Sequence, residues 1–190
     1  MDVPELLRQA MALIPGDARS DAGLAAGDVV ECLDHHEFEF AFDILEDFYG
    51  PHWQTDEYWD LLANAAEQMQ LDASWCRWRK TETRMGIIRA DLQLTDPQTG
   101  GRRTAIPGSG VLRPMWALNS AQQPGLHAAA IWVEYMPELP PGGHGPVRLA
   151  PLSPEAWRHL TPGDVITMHE RQPVAGTATI TEILAPPSTK

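Results

Sequence analysis

The feature that most constrains the fold of this chain is an abrupt change of composition near residue 75. Residues 1–75 hold 3 of the 17 prolines and 4 of the 15 glycines, leaving 14 prolines and 11 glycines for residues 76–190. Both residue types interrupt helices and furnish turns, so the first stretch suits helices and the second suits short strands joined by tight turns. Charge changes at the same point. Arg8 and Arg19 face 17 acids in the first stretch, whereas 12 bases face 9 acids in the second, for a net charge of −12. A chain of 190 residues can bury one ordinary core or two small ones, and the switch selects two. The expected organisation is an acidic helical domain over 1–75, a basic and aromatic connector over 76–85, a β domain over 86–184 and a tail over 185–190. The fold class is α+β with two domains, a small acidic helical bundle followed by a six-stranded antiparallel β-barrel.

Within 1–75 the apolar spacing predicts three or four helices. Pro4 suits a first helical turn, Leu6, Leu7, Ala10, Leu13 and Ile14 share a face, and Pro15-Gly16 stops the run. Asp28 and Glu31 have the spacing of a capping box ahead of Val29, Val30 and Leu33. From Glu37 to Tyr49, residues Phe38, Ala41, Phe42, Leu45 and Tyr49 recur at helical spacing, with Glu39, Asp43 and Glu46 on the other side. Thr55 is placed to cap a last helix that turns Trp59, Leu62, Ala66 and Met69 inward. The aromatic residues are core first, because helices this short are stabilised mainly by packing.

Every charged side chain from Glu31 to Asp60 is acidic. Solvated faces usually mix signs; a single-sign face repels itself and attracts basic partners. Glu39, Asp43, Glu46, Asp47, Asp56 and Asp60 are the residues expected to steer such a partner, with Trp53 and Tyr58 as aromatic anchors. The same charge opposes general nucleic-acid binding, which depends on Lys and Arg against phosphates. The run from Asp28 to Asp47, with Tyr58-Trp59-Asp60-Leu61-Leu62 and Ala65-Ala66-Glu67-Gln68-Met69-Gln70-Leu71, is similar to the small helical immunity proteins of bacterial toxin systems, the MafI type among them. That resemblance spans about residues 20–72 and implies a non-enzymatic immunity protein that occludes a basic toxin domain.

From Gly86 the apolar signal has period two in short segments, as in a closed antiparallel sheet. The expected strands are Ile87–Leu94, Gly110–Leu118, Ala128–Met136, Gly145–Leu149, Asp164–Glu170 and Val174–Leu184. Three phrases stand in order here: Gly100-Gly101-Arg102-Arg103-Thr104-Ala105-Ile106, then Gly110-Val111-Leu112-Arg113-Pro114, then Gly163-Asp164-Val165-Ile166-Thr167-Met168-His169-Glu170-Arg171 followed by Val174-Ala175-Gly176-Thr177-Ala178. Together they resemble the third, β-barrel domain of elongation factor Tu over about residues 86–184. The resemblance implies a barrel of the translation-factor type, which in that family packs beside a second barrel and a GTPase domain and helps to hold a tRNA stem. The chain departs from the family at Val111-Leu112, where an aromatic is usual, and at Gln172-Pro173, where a glycine pair is usual. The alternative role this implies is an adaptor whose barrel engages an elongation factor, a ribosomal component or tRNA, signalled by Arg102, Arg103, Arg113 and Arg148 lying together.

Arg77, Arg79, Lys80, Arg84 and Arg89, interleaved with Trp75 and Trp78, read either as a phosphate-facing strip or, preferably, as a belt of ion pairs between the two domains. Catalytic motifs are missing. The only lysines, Lys80 and Lys190, follow Arg79 and Thr189, so no phosphate-binding Gly-Lys-Ser/Thr loop exists. Gly108-Ser109-Gly110 lacks the spacing of a nucleophile elbow, and His169-Glu170 lacks that of a zinc helix. His35 and His36, being adjacent, point apart on a helix. No enzyme activity, cofactor or metal is expected. Cys32 and Cys76 form no CxxC pair, and no apolar run reaches the ~18 residues of a membrane span, so a cytoplasmic chain with reduced thiols is expected.

Overall fold

The structure, a computed structural model, describes residues 2–119, 124–170 and 173–186. They form two compact units, one running through Arg84 and one from Met85 to Ala185. Arg171, Gln172 and most of the expected tail lie outside the described residues.

The first unit contains α1 (Val3–Ala12), α2 (Ala26–Asp34), α3 (Phe38–Glu46), α4 (Asp56–Gln68) and α5 (Ser74–Met85). Side-chain caps set the starts of α1 and α4. Asp2 accepts from the Glu5 amide at 3.2 Å, and Thr55 accepts from the Tyr58 amide at 3.3 Å, each satisfying an amide that the first helical turn leaves open. Helix α2 begins earlier than the Asp28 capping box predicts. Ala25 is its N-cap, and Asp28, three residues on, accepts from the Ala25 amide at 2.7 Å, the reciprocal half of a box whose first half alanine cannot make. Leu7, Val29, Phe42, Leu45, Trp59 and Leu62 are buried in one core. Tyr49, expected on the apolar face of α3, lies beyond its end and is 52% exposed, and Phe48 is buried instead.

The stretch expected as a connector is most of α5, a helix of the first unit whose bases pair with acids of the same unit. Arg84 donates from Nε to Asp56 at 2.7 Å, Lys80 reaches both oxygens of Asp60 at 2.6 Å, and Arg77 pairs with Glu67. Their order along α5 reverses the order of the acids along α4, as in antiparallel neighbours. Arg79 pairs with Glu82, while Arg89 pairs with Glu134 and Glu182 of the second unit. The expected belt between domains is thus replaced by pairs inside each unit. The exposed ones are screened by solvent and set the register of α5 more than its stability.

The second unit has β1 (Ile87–Leu94), β2 (Ile106–Pro107), β3 (Met115–Ala117), β4 (Leu126–Val133), β5 (Glu138–Leu139), β6 (His144–Pro151), β7 (Val165–His169) and β8 (Val174–Leu184). Six of them close a barrel in the order β1-β6-β4-β3-β7-β8, every neighbouring pair antiparallel. Alternation sends Ile88, Ala90, Leu92 and Leu94 of β1 inward to meet Trp116, Ile131, Val147, Ile166 and Ile180. Register shifts at Arg89/Ala90 and Met168/His169 each place an extra residue in β8, bulges that bend this long strand around the barrel. The expected strand Gly110–Leu118 shortens to β3 for a local reason. Leu112 and Pro114 still accept from the Ile131 and Ala129 amides at 3.0 and 3.3 Å, but Pro114 has no amide to return. Strand β4 stops before Met136 because Tyr135 takes a left-handed φ of 62°. The small β2–β5 pair escapes sequence reading, yet its Ile106 and Leu139 are buried in the barrel core.

The turn at Gly100-Gly101 requires glycine at its second position for space. A Cβ on Gly101 would overlap the Thr95 carbonyl oxygen, a backbone atom that cannot rotate away. Gly101→Ala is expected to destabilise the barrel by about 2–3 kcal/mol, read from its denaturation midpoint. A change below 0.5 kcal/mol would show that the turn can rebuild.

Candidate functional site

The acids singled out by sequence separate into two groups with different surroundings. Asp56 and Asp60 on α4 are engaged by Arg84 and Lys80, and Thr83 also donates to Asp56. The Asp56 carboxyl, despite some burial, is held below the usual carboxylate range by the Arg84 and Thr83 hydrogen bonds. Glu39, Asp43, Glu46 and Asp47 form the second group. At about 100° per residue, Glu39, Asp43 and Asp47 follow one another down a single side of α3 and Glu46 borders it, opposite the buried Ala41 and Leu45. No ion pair among the described residues involves any of these four.

This face is unfavourable to the free helix. Like charges at i,i+4, as in Glu39/Asp43, cost roughly 0.2–0.5 kcal/mol each. Glu46 and Asp47 stand at the negative end of the α3 dipole, whose last turn has no base. Glu46 is half-buried, and burial followed by Asp43, Asp47 and Asp72 pushes its carboxyl up to about 7. The Asp47 carboxyl is also raised, by partial burial and then by Asp21 and Asp43.

Neither aromatic residue expected as an anchor is fully exposed. Tyr58 is 0% exposed, and its hydroxyl donates to the Leu45 carbonyl at 2.5 Å, so it belongs to the core. Trp53 is half-buried, edge-on to Phe48 and Tyr58 with ring centres 6.4 and 5.0 Å away. Phe40 and Tyr49 are the exposed aromatics of this unit, at 54% and 52%. Phe40 stands beside Glu39 on the polar side of α3, a placement the helical spacing already contained. Before it the chain reverses at His36, whose φ of 62° ends α2 and starts α3. An open groove of about 450 Å³ lies here, lined by His36, Glu37, Phe38, Glu39, Phe40 and Met69.

Cys32 and Cys76 are buried and free, and burial with Glu46 nearby pushes the Cys76 thiol up to about 12, which leaves it unreactive. Among the described residues no three His, Cys, Asp or Glu side chains are grouped to hold a metal, and no helix is long and apolar enough to cross a membrane. Of the four arginines that would mark an RNA-facing barrel, Arg102 pairs with Glu170 and Arg148 with Glu134. Arg103 and Arg113 are exposed. No protein-family model matches this chain, and no curated protein matches it either.

Proposed function

We propose that this chain is a non-enzymatic binding protein whose acidic α3 face docks a cationic surface of a partner protein, in the manner of an immunity protein that occludes a basic toxin domain. The observation that carries the reading is the contrast between neighbouring helices. Asp56, Asp60 and Glu67 of α4 meet bases supplied by α5, whereas the acids of α3 meet none among the described residues. Holding Glu46 half-buried among other acids costs stability in the free protein, and an incoming cation removes that cost. A single-sign face also steers a basic partner during encounter. We read the barrel as being of the translation-factor type, where it adds contact area or presents a second surface. The adaptor reading finds less support, since Arg102 and Arg148 are occupied by carboxylates.

The test retains basic proteins from a lysate of the producing organism on the intact chain and on a Glu39→Gln/Asp43→Asn/Asp47→Asn variant, at low and high salt. All three positions are exposed, so the fold should tolerate the changes. At about 1 kcal/mol per lost charge pair, the variant should bind the retained protein roughly 100-fold more weakly, and high salt should weaken the intact complex similarly. Equal binding by variant and parent, or retention indifferent to salt, would refute the role given to α3.

A further inference from the structure

The groove at the start of α3 has a composition that the rest of the acidic face lacks. Phe38 and Met69 are half-buried and supply an apolar floor, Phe40 stands exposed beside them, and Glu37 and Glu39 are exposed carboxylates of the lining. No ion pair or side-chain hydrogen bond among the described residues engages either carboxylate. The His36 ring meets Phe38 edge to face at 5.7 Å. With a volume of about 450 Å³, the groove can take a long side chain together with its adjoining backbone.

We propose, building on the docking role of α3, that this groove receives an arginine side chain of the partner protein, its stem along Phe38 and Met69 and its guanidinium between the Phe40 ring and the Glu37 and Glu39 carboxylates. Charge complementarity selects a cation, because two free carboxylates flank the groove and no lysine or arginine lies between Arg19 and Arg77. The aromatic and apolar lining then selects arginine over lysine. A guanidinium is planar and weakly hydrated, stacks on an aromatic face and pairs with carboxylates through two parallel N–H bonds, whereas an ammonium keeps its water and binds as a point charge. An anionic or purely apolar occupant would leave the carboxylates unpaired or desolvated.

The test titrates the full chain, labelled at backbone amides and methionine methyl groups, with hexa-arginine and with hexa-lysine peptide. Saturable shifts are expected at the Met69 methyl and the amides of 36–40, with hexa-arginine binding at least 10-fold tighter. Phe40→Ala, at a solvent-facing position, should abolish most of that preference, while Glu39→Gln/Asp43→Asn/Asp47→Asn should weaken both peptides. Equal affinity for the two peptides, or shifts confined to 43–47 with Met69 unmoved, would overturn the groove and leave the docking face standing. Binding by neither peptide would overturn both.

Discussion

Replacing Arg79 with methionine is expected to lower the stability of the helical unit by about 3–5 kcal/mol, the usual cost of removing one partner from a buried charge pair. Arg79 is 5% exposed; its guanidinium pairs with Glu82, donates to the Gln54 side-chain oxygen at 2.6 Å, and lies 5.2 and 5.5 Å from the ring centres of Trp59 and Trp75. Gln54 in turn donates to the Phe48 carbonyl at 2.5 Å, and the Trp78 indole donates to Glu82 at 2.8 Å. The arginine therefore joins α5 to the α3–α4 loop. Without it, the Glu82 carboxylate stays buried without that countercharge. Arg79→Met/Glu82→Leu should recover part of the loss, because removing both charges also removes their desolvation cost. Urea unfolding followed by helical circular dichroism measures both variants. A loss under 1 kcal/mol for Arg79→Met would show that α5 is held by other means.

Glu46→Gln is expected to stabilise the helical unit by about 2 kcal/mol at pH 8 and by only about 0.5 kcal/mol at pH 5. The Glu46 carboxyl titrates near 7 when folded and near 4.5 otherwise, so between these values the folded state holds the extra proton. Stability then falls as pH rises through that window and is lowest above 7. A shift of this size corresponds to about 3 kcal/mol, reduced to about 2 because the side chain is only half-buried and partly screened. Asp56 and Glu134 act with the opposite sign: their carboxyls are held low, and their contribution is lost only as pH falls below the ordinary carboxylate range. The raised Asp47 acts in the same direction as Glu46 but is present in both proteins, so the difference between their profiles isolates Glu46. Parallel stability profiles from pH 5 to 8 would contradict the environment assigned to this residue.

How far the sequence was legible depended on whether each signal was local. Strands β1 and β8 were readable at their observed bounds, because alternation between turn residues needs no distant partner. Helix α5 does not stand out as a helix in the sequence, because it buries Cys76 and Trp78 beside Arg79 and Glu82, and a charged buried face is invisible to hydrophobic periodicity. Strands β2 and β5, two residues each, exist only through their mutual pairing. In the site, the alignment of Glu39, Asp43 and Asp47 followed from helical spacing alone. Asp56 and Asp60 looked equivalent to them, since the bases that occupy them arrive 28 and 20 residues later. Tyr58 looked available for the same reason: its hydrogen-bond partner, the Leu45 carbonyl, lies 13 residues before it on another helix. Phe40 carries no sequence signal of its exposure, because an aromatic residue in a short helix reads as core.

The measurement that bears most directly on the account is amide hydrogen exchange of the full chain, alone and saturated with the basic protein it retains. Slowed exchange is expected at residues 36–49, covering the groove and α3, with that protection lost in the Glu39→Gln/Asp43→Asn/Asp47→Asn variant. Protection confined to the barrel strands, with α3 exchanging as in the free chain, would contradict it and assign the binding function to the second unit.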